Sequence, residues 1–160
     1  MNYQIRTFAT QDLDEIVELS LLAWEPIFVS FRSILGPQIY PILYPNWRKS
    51  QQEGVESLCQ DEKMNVWVAE AAEKVVGFVA YELNHENKTG EVMLLAVHPD
   101  YQNDGIGTAL NLQALKAMKA AGMKLAVVGT GGEDSHAPAR RSYEKAGYTP
   151  LPLVRYYKDL

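Results

Sequence analysis

The chain has 160 residues, 47% hydrophobic and 22% charged, which fits one domain over residues 1–160 with a sizeable core. Fifteen Lys and Arg stand against 20 Asp and Glu, a formal charge of −5, so nucleic acid is not an expected partner. A single cysteine, Cys59, rules out an intramolecular disulfide; with no apolar leader and no window read as a membrane span, a soluble cytoplasmic protein is expected.

The predicted elements alternate between two periods. "YQIRTFA", residues 3–9, alternates weakly and reads as a strand. Thr10 or Asp12 is placed to cap a helix over "LDEIVELSLLAW", residues 13–24, which Pro26 disturbs. Tyr40, Tyr44 and Trp47 sit among Pro37, Pro41 and Pro45, which predicts a structured loop. A second helix is predicted from Trp47 to Gln60. "NVWVAEA" and "VVGFVAYEL" form a predicted hairpin, and "EVMLLAV" a third strand after the turn "NHENKTG". A helix from Gly105 to Ala121 stops at Gly122, followed by a buried strand "KLAVVGT". "HAPARRSYEKAG" is a short helix, and "YTPLPLVRYYKDL" is expected to supply one or two closing strands. The sum is an α/β (α+β) fold of three layers, a central mixed, largely antiparallel sheet with helices on both faces.

Two glycines stand where the third helix begins, in "HPDYQNDGIGTAL". A helix N-terminus carries unpaired N–H groups and partial positive charge, which favour an anion. Glycine removes the side chain that would hold a bulky phosphate away. Gly105 and Gly107 are therefore candidates to seat a diphosphate against the amides of residues 103–108. No lysine and hydroxyl follow, as a nucleotide triphosphate site requires, and the third glycine of a dinucleotide turn is absent.

Gln102-Asn103-Asp104-Gly105-Ile106-Gly107 resembles motif A of the GNAT N-acetyltransferase superfamily, and "APARRSYEKAGY" resembles its motif B. The resemblance covers about residues 64–148 and implies an acetyl-CoA-dependent N-acetyltransferase. It implies that Leu95, Ala96 and Val97 offer backbone groups to the pantetheine arm, and that Gln102, Asn103, Asp104, Gly105, Ile106, Gly107 and Thr108 hold the pyrophosphate. Asp104 departs from the usual pattern by setting a carboxylate beside that diphosphate, and Ser135-His136 stands where an asparagine is frequent. His136 and Arg140 are further cofactor candidates, Arg140 for the ribose phosphate.

Acetyl transfer to an amine needs a base for the amine, a donor for the developing oxyanion and an acid for the leaving thiolate. The resemblance places Tyr143 at the coenzyme A sulfur, and a phenol is protonated at neutral pH. Glu91 lies six residues before Val97, about 20 Å of strand and comparable to an extended pantetheine arm. It is the candidate base, directly or through water. Trp24, Glu25, Tyr40 and Tyr44 are candidate contacts for the acceptor, a small-molecule or peptide amine. Homodimers are frequent among members of the superfamily. His85, His98 and His136 lack metal-ligand spacing, so no metal is expected. A non-catalytic acyl-CoA-binding or sensor domain is the alternative.

Overall fold

The computed structural model describes residues 2–160. Five strands form one sheet in the order β1 (Gln4–Thr7), β2 (Asn65–Ala71), β3 (Lys74–Asn84), β4 (Thr89–Val97), β5 (Leu125–Val128). The first four pair antiparallel, and β4 and β5 pair parallel. Four helices complete the fold: α1 (Leu13–Leu43), α2 (Trp47–Gln60), α3 (Ile106–Ala120) and α4 (Ala137–Lys145). The predicted β2–β3 hairpin is present, turning through Ala72 and Glu73, both at positive φ.

The alternation of side chains divides the core into two layers. Val79, Tyr81, Val92 and Val97 meet Ile106, Leu110, Ala114 and Met118 of α3 on one face. Val68, Phe78, Ala80 and Ala96 meet Ile16, Leu19, Val55 and Cys59 of α1 and α2 on the other. Strict period-2 patterning lets each strand serve both layers at once. A register shift between Ala80 and Tyr81 pairs them with Leu94 and Val92, so Met93 is an extra residue on β4. Such a bulge bends a strand and increases its twist.

Three sequence expectations are corrected. First, α1 does not end near Pro26, and residues 37–43 are helical rather than a loop. The break falls at Gly36, with φ 72° and ψ 179°, and Pro37 then opens the second helical segment. Proline is well tolerated in a first turn, where its missing N–H has no intrahelical partner to lose. Second, this helix contains a window with mean hydropathy 1.2, long and apolar enough to pass as a membrane span by length and composition. Its Ile16 and Leu19 are buried in the sheet layer just described. Third, residues 149–160 form no strand. Pro150 and Pro152 deprive that stretch of two ladder donors, and Leu151, Leu153 and Val154 are exposed.

At the N-terminal edge, Asp12 is 4% exposed and accepts from Arg6 at 2.7 and 2.9 Å and from the Ala9 N–H at 2.7 Å. The Arg6 hydrogen bonds hold the Asp12 carboxyl below its ordinary range. This pair ties β1 to the start of α1, which carries the far wall of the site.

Candidate active site

The parallel ladder between β4 and β5 is short. It runs from Thr89–Leu125 to Val92–Val128 and stops there. β4 continues to Val97, so residues 93–97 have no strand partner on their β5 side among the described residues. The chain after Val128 instead leaves as the loop 129–133 toward α4. The result is a cleft in the sheet, with open backbone on one wall and the loop on the other.

The upper end of this cleft is the glycine turn. Asn103 and Gly105 both adopt positive φ, 68° and 81°, and Gly105 is the N-cap of α3. Nothing lies within 4 Å of a Cβ built on Gly105, so backbone conformation is what favours glycine there. Gly107 differs. Its φ is not positive, and an added Cβ would make only ordinary contacts with Val97 and Leu95, at 3.5 and 3.6 Å. The chain's own packing does not demand glycine at 107. Gln102 donates to the Val97 carbonyl at 3.0 Å, bracing the turn against β4. Ile106 is fully buried between α3 and the sheet, so it contributes backbone and packing rather than a side chain. Thr108 Oγ1 lies 3.4 Å from Ser142 Oγ, linking α3 to α4.

The lower end is Glu91. It is exposed, on the face of the sheet away from Val92 and α3, and stands opposite Glu82 on β3 and Val127 on β5. Two like charges directly opposite on a sheet oppose folding, and a cation between them relieves that cost. Sequence reasoning missed Glu82, because its pairing with Glu91 depends on the bulge at Met93, which shifts the register by one.

Tyr143 approaches from the other side. It is on α4, which lies beside α3, and its ring packs edge-on against Tyr148 with centroids 5.8 Å apart. Tyr148 donates to Asn111 Oδ1 of α3 at 3.3 Å. Burial pushes the Tyr143 phenol above its ordinary value, and burial together with Tyr143 pushes Tyr148 up to about 12. Both therefore hold their protons through the neutral range.

Arg140 and His136 are engaged within the chain. Arg140 Nη1 donates to the carbonyls of Gly131 and Glu133 at 2.6 and 2.7 Å, clamping the loop after β5. Both bonds use Nη1 alone. His136 occupies the N-cap position of α4 without capping it, since its ring is hydrogen-bonded to Glu133. Of the four acceptor candidates, Trp24 packs against the α1–α2 core layer. Glu25 is hydrogen-bonded to Arg48, Tyr40 is buried, and Tyr44 stacks on Phe31, centroids 5.7 Å apart. Phe31 in turn lies 6.0 Å from His136, so an aromatic wall runs from the end of α1 to the loop above β5. Burial raises the Cys59 thiol to about 11, leaving it protonated and inert. No group of His, Cys, Asp and Glu with metal-binding geometry occurs among the described residues.

An open parallel strand pair leading from a glycine turn at a helix N-terminus offers backbone N–H groups to an anion with an extended arm, and comparison with known proteins gives the class: acyl-CoA-dependent transferases. The model of the acetyltransferase (GNAT) family matches residues 36–148. An N-alpha-acetyltransferase of Sulfurisphaera tokodaii is 30% identical, the match covering 97% of this chain and 85% of that protein. The crystal structure of a PaiA N-acetyltransferase from Thermoplasma acidophilum with coenzyme A superposes with a TM-score of 0.71 at 18% identity, covering 93% and 91% of the two chains. A ribosomal-protein-S18-alanine N-acetyltransferase from Escherichia coli gives 0.70 at 18% identity, covering 94% and 80%. The chain belongs to the GNAT acetyltransferase family. It is an N-acetyltransferase with acetyl-CoA as cosubstrate, and the three-layer fold expected from sequence is the fold it has.

Proposed function

We propose that this enzyme acetylates a primary amine by direct attack within a ternary complex, with Glu91 as general base and Tyr143 as general acid. The observation that carries this is the end of the β4–β5 ladder at Val92–Val128, one residue beyond Glu91. Acetyl-CoA supplies an activated acetyl group. The turn 102–108 holds its diphosphate through backbone N–H groups and the dipole of α3. The open edge of β4 at Leu95–Val97 aligns the pantetheine arm, and a backbone N–H nearer the Glu91 end of that edge donates to the carbonyl oxygen as it becomes anionic.

Base and acid sit on different faces of the sheet. Glu91 looks toward the α1–α2 side, and Tyr143 belongs to α4 on the α3 side. An amine can thus enter from one side and lose its proton to Glu91, directly or through a water. The thiolate leaves on the other side and takes a proton from Tyr143. No covalent enzyme intermediate is needed when both substrates are held together. Among amines, a peptide N-terminus has the support of the 30% identity to an N-alpha-acetyltransferase.

Calorimetric titration with acetyl-CoA, with ATP and NAD as controls, tests the cosubstrate site. Micromolar acetyl-CoA binding with silent controls is expected. Thiol release from acetyl-CoA is then followed with peptides, polyamines and aminoglycosides. Absence of acetyl-CoA binding refutes the proposed site.

A further inference from the structure

The end of α1 and the start of α2 line an open pocket of about 580 Å³. Its walls include Tyr40, Tyr44 and Trp47, and its charged residues are Arg32 and Arg48. No carboxylate lines it, although the whole chain carries −5. Arg32 lies over the Tyr40 ring at 5.1 Å and Arg48 over the Trp47 ring at 4.7 Å, so each guanidinium rests against an aromatic face. The N-terminus of α2 opens at Trp47, capped by Asn46, with no acidic residue in its first turn. Tyr40 is only 6% exposed, and its hydroxyl has no hydrogen-bond partner among the described residues. Glu25 meets Arg48 without lining the cavity, leaving other guanidinium N–H groups of Arg48 unassigned.

Two guanidinium groups and a helix N-terminus attract an anion, and the aromatic and proline walls take a flat or apolar body. We propose that this cavity binds an organic anion, a carboxylate carried on an aromatic or apolar group. Tyr44 stacks on Phe31, whose ring lies 6.0 Å from that of His136, so aromatic rings link the pocket to the loop after β5. The anion is then the far end of the acceptor, whose ammonium group is drawn to Glu82 and Glu91. That placement rests on the acetyl-transfer proposal above; the anion site itself does not. A separate small carboxylic acid has the same chemistry, and the experiment distinguishes the two sources.

The probes are 4-hydroxyphenylacetate, its uncharged amide, and tyramine, which share a ring and differ in charge. Binding is followed by amide and indole N–H shifts in isotopically labelled protein, with acetyl-CoA titrated separately. The carboxylate is expected to bind and to shift the Trp47 indole and the amides around Arg32. The amide is expected to bind at least tenfold more weakly, and tyramine not to move these signals. Arg32→Gln and Arg48→Gln should each weaken the carboxylate about tenfold and leave acetyl-CoA affinity unchanged, while Glu25→Gln should tighten it. Equal binding of the three probes, no binding of the carboxylate, or indifference to both arginine variants overturns the anion site. Failure of the parent protein to bind acetyl-CoA overturns the transfer proposal and leaves the anion result standing.

For the source of the anion, two N-terminal peptides differing only in Glu or Gln at the third residue are compared as acceptors. A lower KM for the Glu peptide that Arg32→Gln abolishes assigns the site to the acceptor. Equal KM values alongside carboxylate binding assign it to a separate ligand.

Discussion

Gly107→Ala should move stability and cofactor binding in opposite directions. The residue is the second of α3 and its φ is not positive, so alanine fits the backbone without strain. The added methyl would touch Val97 at 3.5 Å and Leu95 at 3.6 Å, both ordinary contacts. Replacing glycine by alanine in a helix is worth about 0.5–1 kcal/mol, through the unfolded chain as much as the folded one. In a domain of this size that raises the midpoint of thermal unfolding by about 1–4 °C. In the proposed cradle the same methyl lies beside the amides that the diphosphate approaches. Losing one charge-assisted hydrogen bond there costs about 1.5–3 kcal/mol, roughly ten- to hundredfold in Kd. Thermal unfolding without ligand and calorimetry with acetyl-CoA measure the two effects on one sample. A lower midpoint in the ligand-free variant would show that packing demands the glycine. An acetyl-CoA Kd within twofold of the parent would show that the cradle is not at Gly107. Either result refutes the reasoning.

Tyr143→Phe should lower kcat about a hundredfold, the ordinary contribution of a general acid, while acetyl-CoA affinity stays within twofold; unchanged kcat excludes Tyr143 from proton transfer. Glu91→Gln should lose rate chiefly near neutral pH, and a pH–rate profile identical in shape and height to the parent's excludes it as the base. Tyr148 has its folded pKa raised to about 12, so its contribution is intact below the unfolded value near 10 and is lost as pH rises through the folded value. Denaturant titrations should show stability falling over that window, and falling less steeply in Tyr148→Phe. Arg6→Met leaves the buried Asp12 carboxylate without its partner and should cost about 3 kcal/mol. Because the Asp12 pKa is depressed in the fold, the contribution is present above about pH 4 and lost on acidification. Urea midpoints at pH 7 and pH 3 check this, and a deficit in Arg6→Met that is equal at both contradicts it.

What the sequence revealed and what it hid divide along physical lines. Period-2 alternation and the glycine stops located β2, β3, β4 and α3 within a few residues, because local burial sets those patterns. The glycine turn was legible for the same reason, since positive φ at Gly105 is a local demand. α1 was misjudged because Pro26 reads as a breaker, whereas burial of Ile16, Leu19 and Phe28 carries the helix past it. The bonds of Arg140 to Gly131 and Glu133 depend on a loop shape that no short pattern encodes. Glu82 was invisible since its facing of Glu91 is set by register, and register by one extra residue, Met93. The Arg32–Arg48 cavity needs two helices to converge, which composition hides behind an overall negative charge.

The early end of the β4–β5 ladder also bears on the lifetime of the protein. Main-chain polar groups along an unpaired strand are protected only by water, and such edges invite pairing with other chains. In the binding mode proposed above, a cosubstrate lying along β4 at residues 93–97 would shield that edge while bound. It also stabilises the native form by mass action, about 2.7 kcal/mol at a hundredfold excess over Kd. On that placement the acetyl donor would act as a stabilising ligand, and turnover and resistance to proteolysis would be expected to decline together as its supply falls.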